Sequence, residues 1–136
     1  MKKLLVLFAF FFLCACSFTA QEYQKNLTAL LQNAKDDDYG NKPTENDIKL
    51  LEISQRTLLK DPDSAKFIWG KPYKCDFPSK NSEVTPVLGW CIEMEYNAKN
   101  SFGAYVGYQW QLIRFKDGHM YSICMRNKEL GWLVCS

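Results

Sequence analysis

Three hydrophobic periods succeed one another along the chain. Residues 4–13 are apolar without interruption. A helix crossing a bilayer needs about 20 such residues, so this run is too short to span. Behind Lys2 and Lys3 it has the length and flanks of a signal-peptide h-region. A helical period follows: Tyr23, Leu27, Leu30, Leu31 and Ala34 recur every three or four positions, which predicts one amphipathic helix. The segment DDDYGNKP at 36–43 reads as a solvated, breaker-rich linker. Counted from Asp36, an EF-hand would need Gly and Glu where Asn41 and Asp47 stand, so calcium is not expected. A second helix is predicted over 45–59, with Thr44 as cap and Asp47 as the acidic partner of a capping box. Its stripe is Ile48, Leu51, Leu58 and Leu59. Pro62 ends it, because the residue before a proline is pushed out of the α region. Asp63 and Ser64 are expected to cap a short turn over 64–66.

From Phe67 onward the period is two. Trp90, Ile92, Met94 and Tyr96 alternate with Cys91, Glu93 and Glu95. Val106, Tyr108, Trp110 and Leu112 alternate with Gly107, Gln109 and Gln111. Tyr121, Ile123 and Met125 alternate with Ser122, Cys124 and Arg126. These read as half-buried strands, joined at Asp117-Gly118 by a strong hairpin signal. That turn would set Leu112 opposite Ile123 and Trp110 opposite Met125, both on the apolar face. Pairing Cys124 with Cys135 would set Met125 opposite Val134 and Asn127 opposite Trp132. For the preceding hairpin, a turn over 97–103 would set Tyr96 opposite Val106 and Ile92 opposite Trp110. The second helix would then cover the face bearing Trp, Tyr, Ile and Met. The expected fold class is α+β: one or two helices on one face of a four- to five-stranded antiparallel meander.

The order of basic, apolar and Leu13-Cys14-Ala15-Cys16 segments resembles the lipobox signal of bacterial lipoproteins. The resemblance implies cleavage after Ala15, loss of Cys14 and lipidation of Cys16. Ser17, in place of the Asp that would retain the protein at the inner membrane, implies the outer membrane facing the periplasm of a Gram-negative cell. Several acyl chains on one cysteine give stable anchoring. The expected organisation is a signal at 1–15, a lipid-anchored helix and linker at 16–43, and a disulfide-stapled α+β domain at 44–136.

Subtracting the signal changes the charge. Seventeen basic side chains less Lys2 and Lys3 balance 15 acidic ones. A neutral mature chain argues against nucleic acid as a partner. Four cysteines remain beside the anchor, at 75, 91, 124 and 135. In an exported chain an even set reads as two disulfides. The expected registers put Cys91 and Cys124 two strands apart, about 9–10 Å, too far for a bridge. Of the three possible pairings, Cys75–Cys91 with Cys124–Cys135 is therefore expected. The first bridge would close a loop holding Pro78, Asn81 and Pro86. No Cys-x-x-Cys occurs and only one histidine is present, so no metal site is expected.

Candidate chemistry is sparse. No phosphate loop, nucleophile triad or cofactor fingerprint stands out, and no cofactor is expected. Glu93 and Glu95 share one strand face about 7 Å apart and, with His119, are the only acid/base candidates. A solvated sheet face and an exposed turn histidine are the plainer accounts. The more unusual stretch is NAKNSFGAYVGY at 97–108, small, polar and aromatic with Lys99 as its one charge. Such loops present rings to partners at low entropy cost, and Asn97, Asn100, Phe102, Tyr105 and Tyr108 are the candidate contacts. The plainer account is a hairpin connection relaxed by Gly103 and Gly107. LKDPDSAKF at 59–67, Cys91 and then NAKNSFGAYVGY resemble a pattern recurring in small exported or phage-linked bacterial proteins of unassigned function. It implies a shared fold and no activity. The usual glycine of that pattern is Ala104 here.

The expected function is thus a non-enzymatic, lipid-anchored module binding an envelope protein as inhibitor, immunity or accessory factor. The alternatives are a periplasmic wall hydrolase using Glu93, Glu95 or His119, and a structural subunit of a secretion or phage-exclusion apparatus.

Overall fold

The computed structural model describes residues 19–126, 131 and 133–136. The signal, Cys16 and the Asn127–Trp132 pair lie outside the described residues. By contacts the chain forms two compact units, Met1–Lys35 with Asp76–Val87 and Asp36–Cys75 with Leu88–Ser136.

In the first unit, residues 19–31 form α1. Tyr23 and Leu27 lie on its half-buried stripe, as the spacing predicts, while Leu31 is exposed. The Tyr23 hydroxyl donates to Asp76 (2.8 Å) and the Asn26 amide donates to the Val84 carbonyl (2.7 Å). Among the described residues no helix is long and apolar enough to cross a membrane.

The second unit holds α2 (Glu45–Thr57). Its capping box is formed: Thr44 Oγ1 accepts from the Asp47 amide, and Asp47 returns a 2.7 Å bond to the Thr44 amide. The helix ends earlier than expected, so Leu58 lies outside it and is 77% exposed. Asp61, rather than Asp63 or Ser64, caps the following 3-10 turn Pro62–Ser64. The linker is largely exposed, as expected, but it is docked rather than loose. Asp36–Tyr39 form a 3-10 turn, the Gly40 carbonyl accepts from Trp90 Nε1 (3.0 Å), the Asp38 carbonyl accepts from Lys116 (2.7 Å), and Pro43 is buried.

Six strands form one sheet: β1 (Lys66–Trp69), β2 (Tyr73–Ser79), β3 (Ser82–Asn97), β4 (Gln109–Lys116), β5 (His119–Arg126) and β6 (Leu133–Cys135). The order is β1-β3-β4-β5-β6, with β2 also on β3. The meander β3-β4-β5-β6 is the one expected. β1 and β2 are additional, because the 75–91 segment read as a stapled loop is instead a β-hairpin. Both expected disulfides are present, Cys75–Cys91 and Cys124–Cys135. Ile48 and Leu51 of α2 pack over Ile92, Met94, Ile113 and Phe115, so α2 is the expected cover.

Two registers differ from expectation. Between β5 and β6, Cys124 faces Cys135 and Met125 faces Val134, as derived. Between β4 and β5 the tight turn holds only as far as Lys116–His119 and Phe115–Met120. A bulge then shifts the ladder, so Leu112 faces Cys124 and Gln111 faces Met125. Between β3 and β4, Ile92 faces Ile113 rather than Trp110, and Tyr96 faces Gln109 rather than Val106. An odd slip exchanges the faces of a strand. Gln111, Ile113 and Phe115 therefore lie on the α2 side, and Trp110, Leu112 and Arg114 lie on the other. That second face is not a polar surface, since Cys91, Leu112 and Cys124 are buried on it.

Candidate functional site

The loop between β3 and β4 is built from its own side chains. A bridge between Lys99 and Tyr105 closes its stem. Inside, Asn100 Oδ1 accepts from the amides of Phe102 (2.9 Å) and Ala104 (3.2 Å), and the Asn100 amide donates to the Ala104 carbonyl (2.9 Å). Gly103 turns the apex at φ 78°, a left-handed conformation that favours glycine. Ala104 is not left-handed, so alanine fits where the resembling pattern has glycine. Below the stem, Asn97 Oδ1 accepts from the Gly107 amide (3.1 Å), with Gly107 at φ 95°. Strand pairing with β3 then resumes at Gln109, opposite Tyr96.

The loop is anchored on the turn that ends the LKDPDSAKF segment. The Lys99 amide donates to Ser64 Oγ (2.9 Å) and the Tyr105 hydroxyl donates to the Ser64 carbonyl (3.1 Å). The Lys66 ammonium lies 4.8 Å from the Tyr105 ring centroid, a cation–π distance. Arg56 braces the turn from α2 by donating to the carbonyls of Pro62 (2.8 Å) and Ala65 (3.1 Å). Glu52 orients Arg56 and accepts from Trp69 Nε1 (2.9 Å). Burial works against the Glu52 carboxylate, but the bonds from Arg56 and Trp69 outweigh it and hold its pKa below the ordinary range. The two segments of the resemblance thus meet as one construction.

Of the five loop residues expected to touch a partner, Asn97 and Asn100 are spent on the loop's own backbone and Tyr105 is pinned. Phe102 and Tyr108 point outward. Phe102 is 93% exposed at the apex and Tyr108 is half exposed.

The acid/base candidates do not converge. Glu93 and Glu95 are exposed on β3, and Glu93 accepts from Trp110 Nε1 at 3.3 Å. Burial, and then the charge of Glu93, raise the Tyr73 phenol, partly offset by Arg114. His119 is exposed beside the Asp117-Gly118 turn. Glu93 faces Leu112 and His119 faces Lys116; four residues along β4 separate the two positions by about 13 Å. His119 instead lies near Asp47, whose carboxyl is lowered chiefly by its bonds to Thr44 and slightly by the histidine's charge. Among the described residues no cluster of three His, Cys, Asp or Glu side chains could hold a metal ion.

A second feature was not expected. A groove of about 240 Å³ opens at the start of β4, lined by Tyr96, Tyr108, Gln109, Gln111 and Met125, with Trp110 and Arg126 beside them. Gln111 is 5% exposed, and its Oε1 has no hydrogen-bond partner. The signal that could have found it is the run Ile113-Arg114-Phe115-Lys116. Its alternation carries Gln111 in phase with the core, whereas the Trp110–Leu112 alternation carries it out.

In comparisons with known proteins, no family model, no curated protein and no solved structure matches the chain.

Proposed function

We propose that this chain is a periplasmic lipoprotein, held at the outer membrane through Cys16, that binds an envelope protein and has no catalytic role of its own. The observation carrying the reading is the apex of the β3–β4 loop. Phe102 is 93% exposed there, on a backbone braced by Asn100 and tied to Ser64. An exposed ring on a pre-ordered loop gives up little conformational entropy when it docks, which is what a binding anchor requires. The separation of Glu93 and Glu95 from His119 makes the wall-hydrolase alternative weaker. An inhibitor, an immunity factor or an accessory subunit would each use such an anchor.

The test is recovery of partners from solubilised outer membrane by the parent chain and by Phe102→Ala. Loss of a specific partner with Phe102→Ala supports the reading, and equal recovery by both removes it. The anchor is tested separately by metabolic labelling with a palmitate analogue. The label is expected on the parent and absent from Cys16→Ala; label retained in that variant excludes Cys16 as the lipidated residue.

A further inference from the structure

The Cys124–Cys135 bridge has unequal halves. Cys124 is fully buried on β5. Cys135 is exposed on β6, the edge strand of the sheet. The two stand opposite each other in the ladder, next to Ile123 and Ser136, which exchange both backbone bonds (3.2 and 3.0 Å). Arg114 of β4 reaches past β5 and donates from Nη1 to Cys135 Sγ at 3.3 Å, in an exposed contact. Leu133 and Val134 of β6 add no charge. On β5 the charge nearest this face is Arg126, which lies over the Trp110 ring, 5.4 Å from its centroid. The carboxylates of the face are Glu93 and Glu95, opposite Leu112 and Trp110 on β3. They are three strands from Cys135, about 14 Å away. The exposed sulfur of the bridge therefore sits in a positive field.

Thiol–disulfide exchange needs an anionic sulfur, access to one sulfur of the bridge and a leaving thiolate. Burial closes Cys124 to attack and exposure opens Cys135. The Arg114 guanidinium draws an incoming thiolate toward Cys135 and stabilises negative charge on its sulfur. We infer that Cys135 Sγ is a thiol–disulfide exchange site whose co-reactant is a dithiol. In the first step a thiolate of the dithiol attacks Cys135 Sγ. A mixed disulfide forms, the Cys124–Cys135 bond breaks, and Cys124 leaves as a thiolate that takes up the proton lost by the attacking thiol. In the second step the other thiolate of the dithiol attacks its own first sulfur and closes a disulfide. Cys135 leaves as a thiolate held by Arg114. The chain gains two electrons and the dithiol loses two. Cys75–Cys91 is the internal comparison, because Cys91 is buried and Cys75 is half-buried. The dithiol can be a small molecule or a cysteine pair of a polypeptide. The inference does not depend on Phe102, so it can fail while the loop reading stands, and the reverse.

The probe is dithiothreitol, added in limiting amount to the full folded chain with both disulfides formed and other thiols blocked beforehand. Released thiols are trapped with iodoacetamide and mapped by mass spectrometry. Label is expected on Cys124 and Cys135, while Cys75 and Cys91 stay joined. Glutathione, a monothiol, should stop at the mixed disulfide and be found after an acid quench on Cys135, not on Cys124. Arg114 is tested by the charge of the trap. In the reduced parent, the rate of Cys135 with anionic iodoacetate relative to neutral iodoacetamide should exceed that in Arg114→Gln about fivefold, as one charge about 4 Å away in water gives. Arg114→Lys keeps the charge and should keep most of the parent's ratio, which a merely structural role would not require. Thioredoxin in place of dithiothreitol separates the sources: faster opening at equal thiolate concentration identifies a polypeptide, slower opening a small dithiol. The inference is overturned if Cys75–Cys91 opens first, or if glutathione is found on Cys124. It is equally overturned by the same trap ratio in the parent and in Arg114→Gln.

Discussion

β4 is entered through the connection Ala98–Tyr108 and left through Asp117 and Gly118 alone. The exit is a two-residue turn with both residues left-handed, φ 53° and 77°, the backbone that matches strand twist. It sets the register locally, as far as Phe115–Met120, before the bulge shifts the ladder. The entrance is held by side chains that reach its backbone, Asn97 and Asn100, and by a turn more than 30 residues earlier in sequence, through Ser64. Its register cannot be read from its ends. The short turn spends all its residues on conformation, whereas the long loop is braced at its base and leaves Phe102 free at the tip. Function is therefore expected at the entrance and stability at the exit and in the strands between.

That contrast can be broken by measurement. The largest effect is expected from Ile113→Ala in the middle of β4, where the side chain is fully buried under α2. A loss of about 2–5 kcal/mol in urea unfolding is expected, and a loss below about 1 kcal/mol would mean that Ile113 does not face the core. Replacing Cys124 and Cys135 together with alanine opens a link across 11 residues of sequence. In the chain-entropy account this costs about 3 kcal/mol, and an unchanged unfolding midpoint would refute it. Gly118→Ala forces an alanine into φ 77° and should cost about 1–2 kcal/mol, confined to the exit. Gly103→Ala, at φ 78°, should cost a similar amount by the same argument, so the two connections are distinguished by the exposed Phe102 and not by their glycines.

Acid should loosen the entrance before the exit. Glu52 has a folded pKa below the ordinary Glu value of about 4.3. Its contribution is complete above that ordinary value and disappears as pH falls through the lower folded one. The Glu52–Arg56 pair is partly exposed, with side chains 29% and 32% accessible, so the change should stay below about 1 kcal/mol. Amide exchange at Lys99, which bonds Ser64, should quicken relative to Lys116 as pH is lowered in that range; parallel behaviour of the two would show that the brace does not reach the loop. The smallest effect on stability is expected from Phe102→Ala. Its shift should lie within about 0.5 kcal/mol, although this substitution is the one expected to abolish partner recovery. A large loss of stability would place Phe102 in the fold rather than at a contact surface.

Legibility followed the range of the interactions. The α2 capping box, the Asp117-Gly118 turn, the β5–β6 register and both disulfides were readable because each is specified by residues close in sequence or by a small set of combinations. Phe102 was readable as a candidate because it stands in a loop of small, polar and aromatic residues with Lys99 as its one charge, a composition that presents rings at low entropy cost. The Gln111 groove was not readable. It depends on the face that β4 presents, and the three-residue slip between the expected and observed β3–β4 registers reverses that face.

By itself, the sequence determined the α+β class, the helix that covers the sheet and the pairing of the four cysteines. Local periodicity and capping act within a few residues, and four thiols allow only three pairings. Only the tertiary structure decided the β3–β4 register, the bulge in β5, the docking of the 36–43 segment and the meeting of Ser64 with the loop. Each of these is a balance between backbone bonds and burial among segments distant in the chain. Two phases of alternation in β4 were open to the strand, and packing Ile113 and Phe115 beneath α2 selected one of them.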